Sequence, residues 1–174
     1  MRSLSLKFLV FLMFLNCTKE PVFILSLGIP YTADPNTSNE NLNNSPQKIT
    51  LTPCENGMAG IYPCNGYDFL SRVNLDQFDS LSGNDNWGWT DQETGIEYVL
   101  SGLNDGTGFV SIEDPVNPIY LGKLPTSTSN SDWRDIKVYN DHAFIVSEAS
   151  DHGLQVFDLT RLRGLTEPQN FTAD

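Results

Sequence analysis

One internal repeat constrains the fold of this chain more than any other feature of its sequence. Each copy begins with a Trp-x-Asp tripeptide and continues with an apolar strand, a glycine-containing turn and a second strand. The copies comprise Trp89–Asp91, Tyr98–Leu100 and Phe109–Ile112, and then Trp133–Asp135, Ala143–Val146 and Leu154–Leu159. A period of about 44 residues built of short strands is typical of β-propeller blades, which are small antiparallel sheets arranged around an axis.

The composition divides the chain of 174 residues into three regions. Residues 1–17 form a hydrophobic leader, residues 18–51 a linker, and residues 52–174 the repeat region. The linker is rich in Asn, Ser, Thr and Pro, and it has too little apolar surface to offset the entropy of ordering. We therefore expect an all-β protein: an incomplete β-propeller of two to three antiparallel blades behind the leader and a disordered linker.

The leader has the pattern of an export signal. Arg2 and Lys7 precede an unbroken apolar run over residues 8–15. A run of this length suits a signal peptide and is too short to span a bilayer. The stretch Leu15–Thr18 resembles a bacterial lipobox. We therefore predict that Cys17 is acylated, and that the repeat region lies at the cell surface, at the outer membrane or in the periplasm.

Two other interpretations of the N-terminal region also place the repeat region outside the cytoplasm. Ser26–Gly28 offers small residues for an ordinary signal peptidase. Residues 8–29 could instead form a membrane helix, although Lys19–Pro21 in its middle makes that helix costly.

The charge of the chain limits its partners. Asp and Glu number 22 against 10 Lys and Arg, for a formal net charge of −12, and the acidic residues are scattered along the sequence. A chain that binds phosphates or anionic lipid headgroups needs clustered Lys and Arg. We therefore expect no nucleic-acid partner, and membrane attachment only through the N-terminal anchor.

Cys54 and Cys64 lie close together in a turn-rich stretch. Because an exported chain meets an oxidising environment, we predict that they form a disulfide that closes a short loop. Closure of a loop of that size stabilises the folded state by about 2–3 kcal/mol.

The repeat region carries no catalytic signature that we recognise, since it lacks G-x-S-x-G, H-E-x-x-H and P-loop patterns. Glu148, Asp151 and His152 could converge at one hairpin turn, and such an oxygen-rich set would suit Ca²⁺ better than Zn²⁺. We interpret this turn as a solvated hairpin tip, with a metal site as the alternative, and we assign no cofactor.

The paired Trp-x-Asp tripeptides have a structural interpretation. A Trp side chain buries a large area, and an Asp two residues later points to the same side of a strand. We expect each Trp to act as a wedge between neighbouring sheets and each Asp to hold a loop backbone. A ligand platform at the blade tops is the alternative.

Residues 54–165 resemble the choice-of-anchor B family of exported proteins, whose blades carry LVIVD-type repeats. The stretches that carry the resemblance are Cys54–Cys64, Trp87–Asp91, Gly106–Gly122, Trp133–Tyr139, Asp141–Ala149 and His152–Arg163. The resemblance implies a β-propeller in the cell envelope, and it implies no common reaction. Similar members run on for several more blades, so we expect this chain to be the N-terminal portion of a longer protein.

These observations favour a binding or scaffolding module over an enzyme. Its partner would be an unidentified protein or glycan, together with the remaining blades of a full-length protein or further copies of itself. The alternatives are a fragment of a propeller-type metal-dependent hydrolase and a truncated product without a function.

Overall fold

The computed structural model describes residues 51–174, and this part of the chain is all-β. The leader, Cys17 and its neighbouring cleavage alternatives lie outside the described residues. Strands β1 and β2 form a small hairpin, β3–β6 and β10 form sheet 1, and β7–β9 form sheet 2. The strands are β1 (Met58–Ala59), β2 (Tyr62–Pro63), β3 (Gly83–Thr90), β4 (Glu97–Leu103), β5 (Gly106–Ser111), β6 (Ile119–Pro125), β7 (Arg134–Tyr139), β8 (His142–Ser147), β9 (Leu154–Asp158) and β10 (Gln169–Asn170).

Two short 3₁₀ helices, Leu75–Phe78 and Leu159–Leu162, complete the regular structure of the described region. Within residues 51–174, no helix has the length and apolar character needed to cross a bilayer. The predicted all-β class is confirmed, and neither sheet closes on itself in this part of the chain.

Sheet 1 is an antiparallel meander in the order β3, β4, β5, β6, with the short β10 added in parallel at the β6 edge. The β4–β5 hairpin closes between Leu103 and Gly106. Gly122 has a φ of 119°, and a Cβ there would lie 2.0 Å from the carbonyl oxygen of Gln169. Glycine at position 122 therefore allows β10 to approach the edge of the sheet.

Sheet 2 is a three-stranded antiparallel meander in the order β7, β8, β9. Its first hairpin turns at Asn140 and Asp141, whose φ angles of 47° and 60° lie in the left-handed region that these two residue types tolerate. The turn sets the register, in which Tyr139 lies opposite His142.

The main core lies between the two sheets. Phe109 from sheet 1 stacks on Phe157 from sheet 2 with ring centroids 4.6 Å apart, and Phe171 meets both rings edge-on. The buried members of this core are Trp89, Tyr98, Leu100, Phe109, Leu121, Leu124, Ile136, Ala143, Ile145, Phe157, Leu159, Leu162 and Phe171. The last two strands of each repeat copy therefore pack face to face, as stacked sheets do.

A second, smaller core covers the other face of sheet 1. Val73 and Phe78, from the segment before β3, pack on Val99, Leu103 and Val110. Sheet 1 is thus covered on both faces.

The segment that follows sheet 2 connects the outer edges of both sheets. The backbone N–H of Phe171 donates to the carbonyl of Lys123 on β6 at 3.2 Å, and that of Asp174 donates to Val156 on β9 at 3.0 Å. The Asp174 carboxylate also accepts from the backbone N–H of Asp158 at 2.6 Å. These bonds satisfy part of the β9 edge, which would otherwise be an open strand edge.

The predicted disulfide is present. Cys54 and Cys64 are bonded, with Cα atoms 5.9 Å apart. The loop that they close contains the β1–β2 hairpin, and the ring of Tyr62 within it contacts Phe69 at a centroid distance of 4.9 Å. The disulfide therefore holds this hairpin close to the segment that leads into sheet 1.

Candidate interaction surface

The face of sheet 2 that points away from sheet 1 carries apolar side chains without a covering layer in the described part of the chain. Register pairs Phe144 with Val156 and Val146 with Leu154, so these four side chains lie together on one face. Val146 is 43% exposed and Leu154 57% exposed. Tyr139, 77% exposed, extends the same face at one end of β7. We call these five residues the open face.

The open face is the counterpart of a face that is buried in sheet 1. The second strand of sheet 1 directs Leu100 towards sheet 2, where it is fully buried. In the second repeat copy, strand β8 directs Ala143 and Ile145 towards sheet 1 and, by alternation, Phe144 and Val146 the other way. The open face of sheet 2 therefore corresponds to the face of sheet 1 that packs against sheet 2.

The two sheets are also joined along their first strands, where β3 lies beside β7. The carboxylate of Asp85 accepts from the backbone N–H of Ile136 at 2.8 Å, and the side-chain amide of Asn84 donates to the carbonyl of Arg134 at 3.2 Å. Lys137 places its ammonium 4.3 Å from the ring centroid of Trp87. Side chains of β3 thus satisfy backbone groups on the edge of β7.

The first Trp-x-Asp copy holds the opposite end of the sheets together. Trp89 is buried, stacks on Tyr98 at 5.0 Å, and donates its indole N–H to the carboxylate of Asp141 at 3.1 Å. Asp91 accepts from the backbone N–H of Glu93 at 3.0 Å and from the Thr94 hydroxyl at 2.8 Å. The interpretation of an inter-sheet wedge with a loop-holding Asp is confirmed for this copy.

Asp91 is also the buried member of an ion pair. Arg163 donates to both of its carboxylate oxygens, Nε at 2.7 Å and Nη2 at 2.8 Å, while Asp91 itself is fully buried. The Arg163 hydrogen bond holds the pKa of Asp91 well below its usual range and outweighs the opposing effect of burial. The pair links the β3–β4 loop to the segment after sheet 2.

The second Trp-x-Asp copy does not repeat this arrangement, so the wedge interpretation is wrong there. Trp89 and Asp91 lie at the end of the first strand of sheet 1, whereas Trp133 lies just before the first strand of sheet 2. Trp133 is 61% exposed, and Asp135 is exposed as well. The residue of this tripeptide that enters the interior is Arg134, which is 1% exposed.

Arg134 makes a buried polar contact with His152. Its Nε donates to the carbonyl of Leu103 at 3.0 Å, and its Nη1 lies 3.0 Å from Nε2 of His152. Burial lowers the pKa of Arg134 from its ordinary value. The other ring nitrogen of His152 lies 3.0 Å from the carbonyl of Gly153, so the protein uses both nitrogens of this ring.

The structure does not bring the three candidate metal ligands together. His152 points into the interior towards Arg134, whereas Glu148 and Asp151 are exposed. Among residues 51–174, no three His, Cys, Asp or Glu side chains form a group that could hold a metal ion. His152 is unsuited to bind a metal because the buried guanidinium of Arg134 contacts Nε2 of its imidazole.

Two polar contacts of this region could not be found by sequence reasoning. Asp91 and Arg163 are far apart in sequence, and so are Trp89 and Asp141. The only local signal was an Arg shortly after the last strand of the second copy.

No protein-family model matches the chain, and neither a curated protein nor a solved structure shows significant similarity to it.

Proposed function

We propose that this chain is an exported binding module of the choice-of-anchor B type, an incomplete β-propeller attached to the cell envelope through acylated Cys17. The open face of sheet 2 would be its docking surface, and the occupant would be a further β-sheet. A fragment of a metal-dependent hydrolase and a truncated product without a function remain the alternatives. The observation that carries the proposal is the cross-strand group of exposed Val146 and Leu154 beside half-buried Phe144 and Val156, with Tyr139 exposed at the other end of the same face.

The shape and pattern of the open face support a sheet as the occupant. Its apolar side chains come from neighbouring strands in register, and a second sheet packs on such a face at a distance of about 10 Å. Sheet 2 itself covers the corresponding face of sheet 1, so the chain already contains one example of this contact. Exposed apolar side chains that adjoin one another are typical of interaction sites.

The source of that sheet would be either the remaining blades of a longer protein or a second copy. A second copy cannot stack head to tail, because Val73 and Phe78 already cover the outer face of sheet 1. Two copies would therefore meet through their open faces around a two-fold axis.

Self-association of the 174-residue chain tests the open face. In the double variant Val146→Lys with Leu154→Lys, we expect the dissociation constant of the self-associated form to rise at least about tenfold, since two desolvated ammonium groups would face an apolar surface. Sedimentation velocity in mild detergent measures this constant.

The matched control is the double variant Ile61→Lys with Leu81→Lys, because these side chains are 74% and 88% exposed and lie away from the open face. It adds the same charge and should associate as the unaltered chain does. Equal losses in both double variants would contradict the proposal, and a chain that stays monomeric at about 0.5 mM would exclude a second copy as the occupant.

Export is tested separately through the cysteines. If the chain is exported, Cys54 and Cys64 should stay bonded in intact cells, because disulfides persist in oxidising compartments and are reduced in the cytosol. Alkylation in intact cells followed by mass spectrometry reports their state. A Cys17→Ser variant should leave the membrane fraction while it keeps the disulfide, and two alkylated thiols at 54 and 64 would rule out export.

A further inference from the structure

Strand β9 forms the outer edge of sheet 2, and no further strand pairs with it among residues 51–174. The two sheets share one plan, since each begins as an antiparallel meander of three strands. In sheet 1 the third strand is β5, and β6 pairs with it in antiparallel orientation. In sheet 2 the third strand is β9. The internal repeat therefore places the counterpart of β6 at the β9 edge.

The backbone groups of β9 that point away from β8 are identified by their contacts. The carbonyl of Val156 accepts from the backbone N–H of Asp174 at 3.0 Å, and the N–H of Asp158 donates to the Asp174 carboxylate at 2.6 Å. Successive residues of an antiparallel strand direct their backbone groups to opposite sides. The N–H and C=O of Leu154 therefore point outward, on the same side as those of Val156 and Asp158.

One end of this edge is open. The N–H and C=O of Leu154 and the N–H of Val156 have no hydrogen-bond partner among residues 51–174. Leu154 is 57% exposed, so a partner can reach this end of β9. An unpaired edge of this kind accepts an added strand, because main-chain hydrogen bonds supply the affinity.

Asp174 covers the other end of the edge, where an added strand would also lie. Its carboxylate accepts from Nη1 of Arg161 at 3.0 Å, and the same Nη1 donates to the carbonyl of Thr172 at 2.9 Å. These contacts hold Asp174 against the outward groups of Val156 and Asp158. Asp174 therefore competes with an added strand for two of its hydrogen bonds.

We propose that the β9 edge binds an extended segment of a partner polypeptide, which adds to sheet 2 as a fourth, antiparallel strand. Strand β6 gives the pattern of this segment, since its Leu121 and Leu124 lie in the main core while its Tyr120 packs on the smaller one. A segment with apolar residues on both faces would place one of them beside Leu154. The inference goes beyond the proposed function, because it uses main-chain groups at the edge of sheet 2 and not the open face.

The test uses the 174-residue chain and a peptide with the sequence of β6, acetyl-Ile-Tyr-Leu-Gly-Lys-Leu-Pro-amide. Amide hydrogen exchange followed by NMR measures the protection of single residues. At about 5 mM peptide, we expect exchange of the Leu154 and Val156 amides to slow about fivefold, as for a dissociation constant of about 1 mM. The amides of Gln155 and Phe157 point towards β8 and should keep their exchange rates.

Asp174→Ala supplies a second measurement. The variant removes the side-chain contacts to Arg161 and to the N–H of Asp158, so the competing segment is held less firmly. We expect the affinity for the peptide to rise about threefold, the size of effect that an exposed ion pair allows. The matched control is Glu55→Ala, which removes one exposed carboxylate from the disulfide-closed loop outside sheet 2 and should leave the affinity unchanged.

Val146→Lys separates this inference from the open face. Val146 lies on β8, one strand away from the edge, so the variant should weaken self-association and leave the affinity for the peptide unchanged. Loss of peptide binding in Val146→Lys would place the peptide on the open face and overturn the proposal. It would also be overturned by unchanged exchange at Leu154 and Val156, by equal slowing at Gln155 and Phe157, or by equal affinities of the two alanine variants.

Discussion

Replacing Phe157 by alanine is expected to lower the free energy of unfolding by about 3–5 kcal/mol. The side chain is fully buried and stacks on Phe109 at 4.6 Å, with Phe171 edge-on at 5.1 Å. The guanidinium of Arg161 lies 4.6 Å from the centroid of the same ring. One ring therefore joins sheet 1, sheet 2 and the segment after β10, and its loss leaves a cavity that all three border.

Phe144→Ala is the matched control for this prediction. Phe144 lies on the strand next to Phe157 and belongs to the open face, where it is only half-buried. Its truncation removes less buried area and leaves no closed cavity, so we expect a loss of about 1 kcal/mol. Urea unfolding followed by tryptophan fluorescence measures both values. Equal losses would mean that the open face is covered in solution or that the two sheets do not pack on each other.

Phe144 and Phe157 also show how far the sequence could predict the fold. The alternation of apolar residues and the repeat predicted the strands and the stacking of two sheets, because a half-buried strand has a period of two. The pattern alone cannot say which face of a strand is covered, since both faces of sheet 2 carry large apolar side chains. Which face of a strand is covered depends on where a neighbouring sheet packs.

The two Trp-x-Asp copies show a second limit of the sequence. Their equal chemistry suggested equal positions, yet one copy lies at the end of the first strand of its sheet and the other at the start of the first strand of its sheet. A tripeptide specifies side-chain types, whereas its place on a strand depends on the register of the hairpins around it. Other interior contacts, such as that of Arg163 with Asp91, join segments that are far apart in sequence and leave no local pattern.

Asp91→Asn is expected to destabilise the chain at pH 7 more than any other substitution of a described carboxylate, and the effect should shrink in acid. Asp91 is fully buried and accepts four hydrogen bonds, two of them from Arg163. An asparagine would direct an N–H₂ group at the guanidinium and leave that charge without its buried partner.

The pH dependence follows from the direction of the pKa shift. Arg163 lowers the pKa of Asp91 in the folded state below its value of 3.8 in the unfolded chain. The stabilisation is therefore fully present above pH 4 or so and is lost as the pH falls through the folded-state pKa. The urea midpoints of the unaltered chain and of Asp91→Asn should differ at pH 7 and approach each other as the pH falls below about 3.

Glu93 provides the control, because it contacts the same guanidinium from a solvated position. Its Oε2 lies 2.6 Å from Nη1 of Arg163, but its side chain is 71% exposed, whereas that of Asp91 is fully buried. Water screens the exposed pair, so Glu93→Gln should change the midpoint little at either pH. If Glu93→Gln and Asp91→Asn had the same effect at pH 7, the contribution of Asp91 would be a surface charge effect. The buried contact between the β3–β4 loop and the segment after sheet 2 would then not hold the two sheets together.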